Sequence, residues 1–274
     1  MKWLRRGIVL LVGLVLLAAA VVFGGSEMMI RRHIPADLPR VAAATDPLEI
    51  AEGARLARYA GCIDCHGTKG QVMFDEPAIA RITAPALSRV AEKATDSQLA
   101  RAIRNGVGID SRPLYVMPTQ ALNHLSDQDV SRLIGWIRSL PTTAFDTVEP
   151  KQVKLLGRIG VVIGQFGNSV NQAGGQPARR PANVGPYLVQ TVCMECHLLN
   201  APKTEAGTGT VAPPLAPMVA SYDPVALKTL LRTGKAVGNR EVGLMSRISR
   251  AGLNALTDPE VDAVQAYLRT QVTH

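Results

Sequence analysis

Cys62-Ile63-Asp64-Cys65-His66 and Cys193-Met194-Glu195-Cys196-His197 are one pattern written twice, and together they use all four cysteines of the 274-residue chain. Two cysteines three positions apart on a helical turn can both reach one porphyrin edge and add to its vinyl groups. The histidine that follows is then held under the ring, where its imidazole can bind the iron. Cys-x-x-Cys-His therefore marks covalent haem attachment. Two other readings compete. A zinc site would need both motifs to converge and would leave their repetition unexplained. A dithiol redox pair expects a neighbouring strand-helix-strand pattern, which the sequence lacks. The motifs predict two covalently bound haem c groups, with their iron, and leave no cysteine for a structural disulfide.

The repetition extends well beyond the motifs. A shift of 131 residues brings Cys62, Cys65 and His66 onto Cys193, Cys196 and His197. A shift of 128 superposes the middles: Ala84, Pro85 and Leu87 on Ala212, Pro213 and Leu215; Leu99, Ile103, Arg104 and Gly106 on Leu227, Leu231, Arg232 and Gly234; Met117 on Met245. Towards the ends the shift of 131 returns, matching Leu125, Asp127, Val130, Trp136 and Arg138 with Leu256, Asp258, Val261, Tyr267 and Arg269. Two compensating three-residue length changes in loops account for this.

Each copy reads as a short helical series. Asp46 with Pro47 and Glu49 is a capping-box-like start whose helix runs into the first motif. Thr95 with Gln98 opens a second helix that stops at Gly106, and Ser126 with Asp129 opens a third that ends before Pro141. In the second copy Thr257 with Glu260 opens the matching last helix. No run shows sustained strand alternation, so the fold class expected is all-α: two tandem haem domains, residues 46–141 and 183–272, joined by a linker over 142–182. Aromatic residues make up only 4 % of the chain. A domain of roughly 90 residues with so few needs bulk from elsewhere, which a haem supplies.

The sixth position on each iron calls for a separate argument, because a lone Met more often fills a core. Of eight methionines, Met117 and Met245 alone occupy equivalent places in the repeat. Met117 precedes Pro118, and both methionines are expected in irregular sequence ahead of the final helix, where a loop can fold them back over the ring. Met73, Met218 and His124 are the rivals; the counterpart of Met218 is Val90, which cannot ligate, and His124 is read as a solvent-facing loop residue. The metal ligands expected are His66 with Met117 and His197 with Met245.

Residues 1–30 form an anchor or signal segment. Gly7 to Gly25 carries no charged side chain, and Lys2, Arg5 and Arg6 precede it. About 19 apolar residues just span a bilayer as a helix, and Val21, Val22 and Phe23 continue the run past the small residues Ala18 to Ala20 that could be a cleavage site. An uncleaved anchor is favoured over a signal peptide, with the basic end cytoplasmic and the haem domains in the periplasm of a bacterial inner membrane. Those three cations supply part of the formal net charge of +8, and four haem propionates would lower it further. No nucleic-acid motif accompanies the basicity, so no nucleic-acid partner is expected. Within the linker, Leu155 to Phe166 is too short for a second span, contains Arg158, and reads as a segment lying on a domain surface.

On these motifs, each copy resembles the small helical fold of mitochondrial-type (class I) cytochromes c. The resemblance rests on the attachment motif, the Ala-Pro-x-Leu element, the Met loop and the Leu-Ser/Thr-Asp helix start. It implies that the carbonyls of Pro85 and Pro213 orient the haem histidines. It also implies that the first and last helices of each copy cross at a glycine against an aromatic, Gly53 with Trp136 and Gly185 with Tyr267. The second copy departs by having Ser246 where Pro118 follows Met117. An anchor followed by two such domains is similar to the membrane-bound cytochrome c subunits of bacterial oxidases and periplasmic dehydrogenases. Histidine–methionine ligation leaves no open iron position and raises the reduction potential. The function expected is that of a membrane-tethered single-electron carrier or electron-transfer subunit with redox partner proteins, rather than an enzyme. A dihaem peroxidase or a haem-based gas sensor is the alternative, and either would need one open iron.

Overall fold

The computed structural model describes residues 1–35, 38–142, 151–172, 174–204 and 209–272. A helix α1, Lys2–Arg31, opens the chain with a π-helical turn at Val21–Gly25. The first copy follows as α2 (Pro47–Tyr59), α3 (Cys62–His66), a hairpin of β1 (Gln71–Glu76) and β2 (Ala80–Ala84), then α4 (Leu87–Lys93), α5 (Asp96–Asn105), α6 (Thr119–Leu122) and α7 (Asp127–Ser139). A two-residue strand β3 (Gln152–Val153) and α8 (Leu155–Val162) lie in the connection. The second copy contains α9 (Val184–Thr191), a 3-10 turn at Cys193–Glu195, α10 (Leu215–Ala220), α11 (Pro224–Thr233), α12 (Leu244–Ala251) and α13 (Asp258–Thr270).

The helix starts follow the sequence signals. Asp46 accepts the backbone N–H of Leu48 at 2.7 Å, while Thr95 with Gln98 and Thr257 with Glu260 form complete capping boxes. Glu49 does not reach back to its cap; it pairs instead with Arg132 of α7 at 2.5 Å. Gly106 and Gly234 close α5 and α11 in the left-handed conformation. One arginine per copy ties the last helix down: Arg104 bonds Asp127 at 2.7 Å, and its repeat partner Arg232 bonds Asp258 at 2.7 Å.

The glycine crossings are present in both copies. A Cβ on Gly53 would run into the Arg132 carbonyl and lie 3.2 Å from the Trp136 Cβ; a Cβ on Gly185 would run into the Ala263 carbonyl and lie 3.2 Å from the Tyr267 Cβ. These contacts set the first helix against the last in each copy.

Further features depart from the sequence expectation. The β1–β2 hairpin was not legible, because its register slips between Val72 and Phe74 and the alternation that would announce a strand breaks there. Met245 does not sit in irregular sequence but in the first turn of α12.

Of the 142–182 linker, residues 143–150 and 173 lie outside the described residues. Its apolar part does lie on a domain surface: α8 packs on the hairpin, with Gly157 close against the Ile79 carbonyl. Beyond it the chain straps across the first copy, through Ser169 N–H to Leu114 O and Asp127 N–H to Pro177 O.

The buried side chains of the two copies form one continuous cluster, including Leu56, Leu133, Ile134, Leu188, Val261 and Leu268. The seam between the copies is reciprocal. Tyr187 on α9 donates its hydroxyl to Asp129 at the start of α7, at 2.7 Å. Arg55 on α2 donates to Glu260 at the start of α13, at 2.7 and 2.8 Å. Asp129 and Glu260 are equivalent in the repeat and both are buried. Arg180 of the linker closes the seam, bonding Glu260 at 2.6 Å and the Tyr59 hydroxyl at 3.1 Å. His124, expected in solvent, is half-buried at the seam, with the Gln190 amide 3.3 Å from its Nε2.

Candidate haem sites

Each attachment motif is delivered by the first helix of its copy. Gly61, left-handed at φ +79°, breaks α2 from α3 so that Cys62–His66 starts a new turn at an angle to the preceding helix. In the second copy α9 ends at Thr191 and Cys193–Glu195 is a 3-10 turn.

His66 Nδ1 lies 2.7 Å from the Pro85 carbonyl oxygen, and His197 Nδ1 lies 2.8 Å from the Pro213 carbonyl oxygen. Donation from Nδ1–H to a carbonyl fixes both tautomer and ring orientation and leaves the Nε2 lone pair for a metal. Burial lowers the pKa of His66, opposed by the Pro85 bond, so the ring is held in the neutral form that ligation requires.

In the second copy Cys193, Cys196, His197, Pro213 and Met245 line one cavity. Its remaining walls are largely Leu, Val and Ala contributed by α9 to α13, among them Leu188, Leu227, Leu231, Val261 and Leu268. An apolar slot with a thiol pair and an oriented imidazole at one side and a thioether among its lining residues fits a porphyrin and its iron. Met218 also lines this cavity. In the first copy Cys62 and Met117 pack against the same core as Leu87, Val90 and Ile109, whereas Met73 falls at the bulge of β1.

The thiols do not suit the competing chemistry. Burial, aided by the neighbouring cysteine, pushes Cys62 and Cys193 up to about 12, whereas dithiol redox catalysis needs a depressed thiol. Among the described residues no group of three or more His, Cys, Asp or Glu converges to hold a metal ion by itself.

The methionine loops are braced differently. Val116, just before Met117, is held at φ +66°, a conformation that a β-branched residue rarely adopts. In the second copy Ser246 is buried; its hydroxyl donates to the Gly234 carbonyl at 2.5 Å and accepts the Val242 N–H at 2.8 Å. The serine thus pins the turn that Pro118 stiffens in the first copy. Sequence reading noted Ser246 only as a departure, because its partner Gly234 is brought near by tertiary structure alone.

Two small helical units, each with a histidine oriented by a proline carbonyl beside a Cys-x-x-Cys pair, define the class of c-type cytochromes. The Cytochrome c family model matches residues 50–141 and 182–271, and the chain belongs to that family. It is also similar to the fructose dehydrogenase cytochrome subunit of Gluconobacter japonicus, with 30 % identity over 267 aligned residues that cover 85 % of this chain and 54 % of that one. The chain thus spans about half the length of this curated relative. The protein is a dihaem c-type cytochrome, an electron-transfer protein with two covalently bound haems c.

Proposed function

We propose that this chain is the membrane-tethered cytochrome subunit through which a periplasmic dehydrogenase passes electrons towards a terminal acceptor. In this reading Cys62 with Cys65, and Cys193 with Cys196, form the thioether links. His66 with Met117 and His197 with Met245 are the axial ligands, and the Pro85 and Pro213 carbonyls hold the histidines in place. The domains are residues 46–141 and 183–272, with 142–182 as linker and 1–30 as anchor.

The observation that carries the electron-transfer assignment is the duplicated arrangement of histidine on proline carbonyl, with a matched methionine in each copy. A haem bound with histidine and methionine supplies one-electron chemistry with no open iron position. The protein's part is to hold the imidazoles in place and to wall each ring with apolar side chains. A dehydrogenase as donor is supported by the relative, a cytochrome subunit of fructose dehydrogenase. Anchoring is supported by α1, whose apolar window has a mean hydropathy of 2.9 and no buried residue. The cations at Lys2, Arg5 and Arg6 favour a cytoplasmic amino terminus and periplasmic haem domains.

Purification from native membranes tests the reading. The expected result is a complex containing a substrate-oxidising enzyme whose substrate reduces both haems. A chain that purifies alone, and whose haems no co-extracted dehydrogenase reduces, would overturn the subunit assignment. A chain released from membranes by carbonate would overturn the anchor.

A further inference from the structure

The exposed face of α8 has no role in haem binding, yet it is strongly apolar. At 100° per residue, Leu155, Leu156, Ile159 and the C-cap Ile163 fall within about 100° of one another on the helix. Leu155 is 53 % exposed, Leu156 54 % and Ile163 62 %. The other side of the helix is occupied: Gly157 sits on the Ile79 carbonyl of the hairpin, and Arg158 reaches the outer end of α1.

That second contact fixes the level of α8. Arg158 donates to Glu27 Oε2 at 2.8 Å and to Ser26 Oγ at 2.9 Å. Its guanidinium lies 5.6 Å from the centre of the Phe23 ring, and Val162 is in van der Waals range of a Cβ on Gly25. Gly25 is the last residue of the run without charged or strongly polar side chains that begins at Gly7. The helix therefore stands beside the anchor where the anchor leaves the hydrocarbon, and α1 at that level is itself exposed and apolar, with Phe23 at 51 % exposure. Exposed cations flank the patch: Lys154 at the start of α8, and Arg31 and Arg32 where α1 ends. Apolar side chains with basic neighbours are the composition of a helix that lies in the headgroup layer.

We infer that α8 is an interfacial helix, seated in the lipid surface beside the anchor. It holds the first haem domain at one orientation to the membrane rather than leaving it to swing on a single tether. The ion pair of Arg158 with Glu27 locks helix and anchor together, and Leu155, Leu156, Ile159 and Ile163 enter the boundary between headgroups and acyl chains. The inference rests on the membrane-anchored reading of α1.

The full-length haem-loaded protein, reconstituted in oriented multilayers of phosphatidylethanolamine and phosphatidylglycerol, tests it by electron paramagnetic resonance of the ferric haems. The native protein is expected to show signals that depend strongly on the angle between membrane and field. A Leu155→Ser, Leu156→Ser, Ile163→Ser variant, or Ile163→Glu alone, is expected to lose most of that dependence while keeping its visible spectrum, its haem content and its resistance to carbonate extraction. An angular dependence unchanged in both variants would overturn the proposal. So would unchanged orientation accompanied by loss of a co-purifying dehydrogenase, which would make the face a protein contact. A native protein that stays in the membrane with randomly oriented haems would overturn the seat alone, whereas one washed out by carbonate would overturn the anchor and the seat together.

Discussion

At the level of single residues, the iron ligands decide the chemistry. With Met117 and Met245 in place, both ferric haems should be low-spin, show the weak near-infrared sulfur-to-iron band, and ignore carbon monoxide after reduction. Met117→Ala or Met245→Ala is expected to open one iron only, lower its potential and create carbon monoxide binding at that haem. Carbon monoxide binding by the unmodified protein would disprove the two-closed-haem arrangement. Ser246 adds a finer case. Removing its hydroxyl leaves the Gly234 carbonyl and the Val242 N–H without their shared partner, so Ser246→Ala should weaken the sulfur-to-iron band of the second haem and leave the first untouched. The attachment motifs were legible because a five-residue pattern repeats unbroken, and the methionines stood out only through their matched places in the repeat. The brace on Met245 was not, since a hydroxyl twelve positions from its acceptor announces nothing in a sequence.

Among the secondary-structure elements, the helices were read well where a cap or a stop was present, because those signals are local: Asp46, Thr95, Ser126 and Thr257 at starts, Gly106 and Gly234 at ends. The hairpin escaped because a bulge at Met73 breaks its alternation, and α12 escaped because no polar cap precedes Leu244; its N-cap is Gly243 at φ +59°. The crossing of first and last helices rests on a glycine in each copy. Gly53→Ala would force α2 off the Arg132 carbonyl and the Trp136 side chain, at a cost of about 3 kcal/mol. Thermal unfolding followed at the haem absorbance should show a corresponding fall of several degrees, and an unchanged midpoint would mean that the crossing is not so tight. Gly185→Ala should do the same to the second copy.

For the molecule as a whole, the seam between the copies sets how the two haem domains face each other. The acidic residues at Asp129 and Glu260 were legible as helix-start residues, but their reach into the neighbouring copy depends on docking that no local pattern encodes. Burial would raise the pKa of Glu260, but the Arg55 hydrogen bonds, the Thr257 N–H and the charges of Arg55 and Arg180 outweigh it and hold it to about 2. A carboxylate depressed in this way stabilises the folded state fully above its unfolded value near 4.5 and loses that contribution as pH falls towards about 2. The seam should therefore loosen on acidification through that window, seen as an increase in radius of gyration by X-ray scattering. Glu260→Gln should bring the loosening to neutral pH and lower stability by about 2 kcal/mol, because Arg55 and Arg180 keep only Glu52 of the two carboxylates they share. Unchanged scattering and stability in this variant would show that apolar contacts alone hold the copies together.

The reciprocity of that seam also bears on ancestry. The first helix of each copy meets the start of the last helix of the other, through positions that correspond in the repeat. Surfaces that answer each other in this way are what a two-fold symmetric pair of identical subunits presents. Joining two such subunits end to end keeps the mutual fit and makes the encounter intramolecular, so the tether supplies an effective concentration that a free pair would have to reach by abundance. The halves do not match residue for residue: from the other copy Asp129 takes the hydroxyl of Tyr187, whereas Glu260 takes the guanidinium of Arg55. The linker's Arg180 lies between the two equivalent acids, 2.6 Å from Glu260 and 3.9 Å from Asp129, so the tether itself supplies a cation to both halves of the seam.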